Sequence, residues 1–202
     1  MLEPLQRTAP SGSGFQPASS VMPAQSLIAG WRDGLAIVNL RGNAEDAAFR
    51  EAASRALGLA LPVQPCTTAT NAVCRVVWAG PDDWFLIAPK GQANSIMSQL
   101  RAALAGMHCA VTDVSSGYTV LHLGGPAARD VLAQGCPLDL HPRVFKPGAS
   151  AGSLFFKASI WLWRTEEAAE YELLVRRSFM GYSWLMLQRC TQECGLATRR
   201  FA

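Results

Sequence analysis

Charge is what this sequence has least of. Asp, Glu, Lys and Arg make up 16% of its 202 residues, where an average soluble domain has about 25%. Hydrophobic residues make up 50%. A chain of this size and composition can bury roughly 70% of its unfolded surface. The shortage of charge also points to an outer surface partly covered by another protein, as in a subunit. Positive charge is sparse too. The formal net charge is +3, and the basic residues are dispersed. Only Arg176-Arg177 and Arg199-Arg200 form tight pairs, so nothing tracks a phosphate backbone. No apolar run reaches the roughly 20 residues that span a bilayer. The N-terminus lacks the basic-then-apolar order of a signal peptide, and a cytoplasmic chain is expected.

Catalytic residue types are equally scarce. The chain has three histidines, His108, His122 and His141. None has an acid at useful sequence spacing, and core or loop positions explain all three. No GxSxG, HExxH or phosphate-loop pattern occurs. There are six cysteines, Cys66, Cys74, Cys109, Cys136, Cys190 and Cys194, but no CxxC pair. They read as buried small hydrophobes rather than bridges. Cys190 and Cys194 lie one helical turn apart. No second close pair of Cys or His joins them, so no metal site is expected.

What is present is regular patterning after an irregular start. Residues 1–26 mix Pro, Ser, Gly and Gln without periodicity. They read either as a loose tail or as an arm that orders against a partner through Phe15 and Met22. The domain proper is expected over 27–202. Its first half, about 30–115, begins with a strand over Gly34–Leu40. A helix over 44–57 follows, with Ala48, Ala52 and Leu57 on one face and Gly58 closing it. Strands over Val73–Ala79 and Trp84–Ala88 form a hairpin through Gly80-Pro81-Asp82-Asp83. A helix over 94–105, capped by Asn94, and a strand over Cys109–Val114 complete the order β-α-β-β-α-β. The second half, about 116–195, repeats it. A strand over Tyr118–Leu123 is followed by Gly124-Gly125-Pro126 and a helix over 127–134. Strands over Ser153–Trp163 and Tyr171–Arg176 flank an acidic turn, and a helix spans 181–194. The strand-to-helix junctions at Gly42 and Gly125 are roughly 83 residues apart, as in a degenerate internal duplication. The expected class is α+β, with two split β-α-β-β-α-β halves packed together.

Three features invite a functional reading, and each has a structural explanation. Gly124-Gly125-Pro126 opens a helix where a phosphate could sit, but it lacks GxGxxG spacing, and strand–helix packing accounts for the glycines. Asp82-Asp83 fits a turn better than a carboxylate pair. Asp113 ends an apolar strand and is expected to accept N–H bonds from the turn after it. The tryptophans at 31, 78, 84, 161, 163 and 184 read as core or as subunit contact.

The segments VVWAGPDDWFLIAP, DVSSGYTVLHLGGPAARDVLAQGCPLDLHP and ELLVRRSFMGYSWLML resemble those of sarcosine oxidase gamma subunits. The likeness covers about residues 30–195. It is most specific at Cys136–Pro142 and Arg176–Phe179. It implies a fold similar to the folate-binding domain of aminomethyltransferases. It also implies a heterotetramer with alpha, beta and delta subunits, alpha being the direct contact. That complex demethylates sarcosine oxidatively to glycine, giving hydrogen peroxide and, with tetrahydrofolate, methylenetetrahydrofolate. FAD, FMN, NAD and the folate site are implied on the partners. No catalytic, cofactor or metal residue is assigned to this chain, which is expected to be inactive alone. In aminomethyltransferases a later strand turn supplies an essential acid, whereas the matching strand here, Ser159–Arg164, has no carboxylate. The competing reading is a stand-alone folate-binding protein of the same fold.

Overall fold

The computed structural model describes residues 26–32, 34–165 and 170–199. The expected arm, with Phe15 and Met22, lies outside them, as does the middle of the acidic turn. The elements run β1 (Leu27–Arg32), β2 (Ala36–Gly42), α1 (Ala47–Leu57), β3 (Thr68–Thr70), β4 (Arg75–Gly80), β5 (Asp83–Ala88), α2 (Ala93–Ala103) and β6 (Cys109–Asp113). Then come β7 (Tyr118–Gly124), α3 (Ala128–Ala133), β8 (Ser150–Phe155), β9 (Ala158–Arg164), β10 (Tyr171–Arg176), a 3-10 turn (Arg177–Phe179), α4 (Met180–Cys190) and β11 (Leu196–Thr198). The class is α+β. Contacts divide the chain into two compact units, one of Gly34–Ser115 with Gly148–Ala151, the other of the remaining described residues.

The first unit is a mixed layer of sheet and helices. Its sheet has the order β3-β4-β5-β2-β6, with β2 antiparallel to both β5 and β6. Alternation sends Ala36, Val38 and Leu40 of β2 and Trp84, Leu86 and Ala88 of β5 to one face, where Phe49, Ile96 and Leu100 of the two helices close the core. Asp46 starts α1 by accepting the Ala48 N–H at 2.9 Å. Gly58 ends it at φ 65°. Ala48 was expected on the inner face but is exposed; the bulkier Phe49 takes the core position instead. Asn94 does not cap α2, because the helix already begins at Ala93 and places Asn94 inside the first turn. The outer edge of β6 is partly closed by Arg101, whose Nη2 donates to the Val111 carbonyl at 2.8 Å.

The second unit repeats the element order, β7-α3-β8-β9-β10-α4-β11 matching β2-α1-β3-β4-β5-α2-β6. Its sheet order is β11-β1-β7-β10-β9-β8. The difference is β1, which lies between β7 and β11. It runs antiparallel to β7 and parallel to β11. A strand from before the first half thus fills in the second sheet the place that β6 fills in the first. The sequence pattern did not show β1, β3 or β11, which are short or interrupted by glycine.

Ser153–Trp163 was expected as one strand and is a hairpin. The chain reverses at Phe156-Lys157, with Phe156 at φ 53°. No Gly, Pro, Asn or Asp marks this turn. Phe156 is held by tertiary contacts: its N–H donates to the Gly135 carbonyl at 2.7 Å, and its ring lies edge-on to Phe155. A Cβ on Gly135 would come within 2.5 Å of that ring.

Gly125 serves β1. It has φ 87°, and a Cβ there would stand 2.7 Å from the Ser26 carbonyl oxygen. The backbone entering β1 therefore passes directly over this glycine. Gly91, at φ 84°, has open space around the same direction. Gly91→Ala is expected to lose about 1 kcal/mol for the left-handed backbone alone. Gly125→Ala adds the collision, bringing its loss to about 3 kcal/mol. Urea midpoints of the two variants measure the difference.

Candidate functional site

The most concentrated polar chemistry in the second unit is on the sheet face opposite α4. Cross-strand register sets Gly30 of β1 against His122 of β7, His122 against Glu172 of β10, and Glu172 against Trp163 of β9. These residues therefore share one face. Glu172 is 5% exposed and Trp163 fully buried. Arg32 Nη1 donates to Glu172 Oε1 at 2.8 Å, and the Trp163 indole N–H donates to Oε2 at 2.9 Å. His122 Nδ1 stands 3.9 Å from Oε1, and its Nε2 3.6 Å from the Glu170 carboxylate. A Cβ on Gly124 would stand 3.3 Å from His122 Nε2, so that glycine leaves room for the imidazole.

Burial by itself pushes the Glu172 carboxyl up. The neighbouring His122, the Arg32 guanidinium and the Trp163 donor outweigh it, and together hold the group below its ordinary 4.5. Both oxygens already accept from fixed donors. The arrangement keeps a buried, ionised carboxylate in place as the acceptor of two fixed donors, one on each oxygen. Chemically it is a strap across four strands.

The expectation that no histidine has an acidic neighbour is corrected at His122. Glu170 and Glu172 flank it across a strand pairing that sequence spacing does not display. A signal was present nonetheless: His122 and Glu172 each stand among apolar neighbours inside the strands YTVLHLG and YELLVR. The other two histidines lie elsewhere. His141 is exposed in the loop after α3, where its Nδ1 accepts from the Arg143 N–H at 3.2 Å, and buried Leu140 and Phe145 anchor that loop. His108 lines a cleft of about 510 Å³ with Arg41, Asn43, Asp82 and Cys109. The charges there are spent on each other: Arg41 pairs with Asp82 at 3.1 Å and with Asp83 at 3.9 Å. Asp113 accepts the Ser115 N–H at 2.9 Å, the turn role expected of it.

Among the cysteines, Cys74 and Cys136 are buried, but Cys66 is exposed, contrary to the expectation for all six. Cys66 stands in a turn at φ 62°, outside the strands that fill the core. No group of three or more His, Cys, Asp or Glu with metal-binding geometry occurs among the described residues. No described helix is long and apolar enough to cross a membrane.

The family model of the sarcosine oxidase, gamma subunit family matches residues 41–193. The chain belongs to that family. It is 41% identical over 123 residues to a sarcosine oxidase subunit gamma of an Arthrobacter species. That match spans 60% of this chain and 60% of the relative, less than two thirds of the relative's length. The fold is also similar to a chain of the heterotetrameric sarcosine oxidase of Corynebacterium sp. U-96, solved with pyrrole 2-carboxylate. The TM-score is 0.80 at 29% identity, covering 88% of this chain and 89% of that one. A likeness in fold alone links it to the glycine cleavage system aminomethyltransferase T of Bartonella henselae. There the TM-score is 0.60 at 14% identity, over 87% of this chain and 48% of that one. The α+β fold of this family member is thus of the aminomethyltransferase type.

Removing one partner of a buried ion pair leaves the other uncompensated. Glu172→Ala is therefore expected to cost about 3–5 kcal/mol in chemical denaturation. The pH response follows the same group. A carboxyl held below its unfolded value stabilises the fold fully above that value and loses the contribution as pH falls through the folded one. Stability of the wild-type chain should therefore fall below about pH 4.5, and less steeply in Glu172→Gln. Urea unfolding between pH 3 and 7 checks both.

Proposed function

We propose that this chain is the accessory, non-catalytic gamma subunit of a heterotetrameric sarcosine oxidase, assembling with alpha, beta and delta subunits. The complex takes sarcosine to glycine by oxidative demethylation. It releases hydrogen peroxide and, with tetrahydrofolate, methylenetetrahydrofolate. FAD, FMN, NAD and the folate belong to the partner subunits, alpha being the direct neighbour, and the complex works in the cytoplasm. The observation that carries this reading is the fold likeness to a chain of the Corynebacterium oxidase, which extends over nearly nine tenths of both chains.

The accessory role draws support from the residues themselves. A buried acid is present, but Arg32 and Trp163 occupy its carboxylate. The strand Ala158–Arg164 contributes tryptophans and no carboxylate. The Arg41 cleft closes its own charges. None of these offers a proton acceptor free to act on an amine substrate.

Co-expression with the other three subunits is expected to yield one complex containing this chain, with sarcosine-dependent peroxide formation. The isolated chain should be colourless and inactive. The rival, a self-sufficient folate-binding protein, is tested by calorimetric titration of the isolated chain with tetrahydrofolate. Micromolar binding there, with no assembly on co-expression, would establish the rival.

A further inference from the structure

Two thiols stand where α4 hands over to β11. Cys190 is the last residue of α4, and residues 191–194 form a turn that leads into β11. The turn keeps helical hydrogen bonding. The Thr191 N–H donates to the Leu187 carbonyl at 3.1 Å, and the Gly195 N–H to the Thr191 carbonyl at 2.8 Å. Positions 190 and 194 therefore lie on one side, with Cβ atoms about 5–6 Å apart. Both cysteines are half-buried, unlike Cys74 and Cys136, which are fully buried. Burial pushes the Cys190 thiol up, and the nearby Cys194 adds to the rise, so the two groups sense each other's charge. A disulfide needs Cβ atoms about 3.5–4.5 Å apart. Closing this pair takes a contraction of roughly 1–2 Å. The contraction falls on the turn, which ends at Gly195 with φ 83°. The Gly195 carbonyl accepts the Leu27 N–H at 3.1 Å, and the next residue, Leu196, is the register partner of Leu27 in the β1–β11 pairing.

We propose that Cys190 and Cys194 are a peroxide-responsive dithiol that closes into a disulfide and, in closing, loosens β11 from β1. The Cys194 thiolate attacks hydrogen peroxide, the O–O bond breaks, and a sulfenic acid and hydroxide form. The Cys190 sulfur then attacks the sulfenic sulfur; its proton and the departing hydroxyl leave as water. In sum, two thiols and one hydrogen peroxide give one disulfide and two waters. The two sulfurs lose the two electrons that the peroxide oxygens gain. Cys190, the thiol that burial pushes up, is the resolving partner. A bridge drawn across too long a span is strained and readily reduced, which suits a reversible change rather than a permanent brace. The proposal rests on the subunit reading above only for the source of peroxide, the product assigned there to the assembled oxidase.

The test treats the full-length chain with added hydrogen peroxide. It needs no other subunit, so its outcome is separate from that of the subunit reading. Trypsin cuts after Arg189 and Arg199 and releases both cysteines, with no others, in the peptide 190–199. That peptide is expected to become lighter by two hydrogens and about tenfold less alkylated by iodoacetamide, both changes being undone by dithiothreitol. Cys190→Ser should instead leave a dimedone-reactive sulfenic acid on Cys194. In the oxidised wild type, amide hydrogen exchange at Leu27 and across β11 should quicken about tenfold. A peptide that stays fully alkylatable, or that goes to sulfinic acid without a bridge, overturns the proposal. A bridge that leaves exchange in β1 and β11 unchanged overturns the switch. If Cys190→Ser fails to fold, the wild-type mass and exchange measurements decide by the same criteria.

Discussion

The Glu172 carboxylate is the contact on which the second sheet depends. Through Arg32, His122 and Trp163 it connects β1, β7, β10 and β9 on one face. A buried charge of this kind adds little net stability compared with a well-packed apolar residue, because desolvation offsets the attraction. Its consequence is selective. A one-residue slip of β10 would carry Glu172 to the helix side, among Leu121, Leu173 and Trp184, away from the Arg32 cation that balances it. The correct register is thereby separated from its nearest competitors by an uncompensated buried charge.

That selectivity matters because β1 is the least securely specified strand of its sheet. It comes from the far end of the sequence and enters between two strands belonging to the second half of the duplication. The Gly125 contact is purely a steric permission: it lets the backbone entering β1 approach but attracts nothing. Arg32 supplies the directed interaction, with a 2.8 Å charge-assisted bond to Glu172. In the first unit the equivalent slot belongs to β6, which follows its own helix and needs no such device. Its outer edge is closed by the Arg101 side chain.

Much of this architecture was legible in the sequence. The β-rich apolar runs AIVNL and WFLIA, the helix formers over 44–57 with Gly58 closing them, and the Gly-Pro-Asp-Asp turn made most of the first unit readable. The second was harder for physical reasons. SLFFKASIWLW reads as one strand because its turn uses no turn residue; Phe156 is held at positive φ by Phe155 and Gly135, contacts far apart in sequence or invisible to local propensity. β1 is short, with a glycine in its middle. The polar cluster was missed because its members are 140 residues apart at the extreme, Arg32 to Glu172, and only strand order brings them together. Ser159–Arg164 carries no acid, yet the neighbouring strand places one, Glu172, against Trp163.

The buried Glu172 carboxylate, which accepts from Arg32 and Trp163, is a structural group. The same economy extends to the surface. Low overall charge and exposed apolar side chains such as Leu185 and Phe179 are costly for a free monomer, because they invite non-specific association. They cease to be costly when another protein covers them. The interior resists a wrong register by a charge that finds its counter-charge, Arg32, in the native strand order.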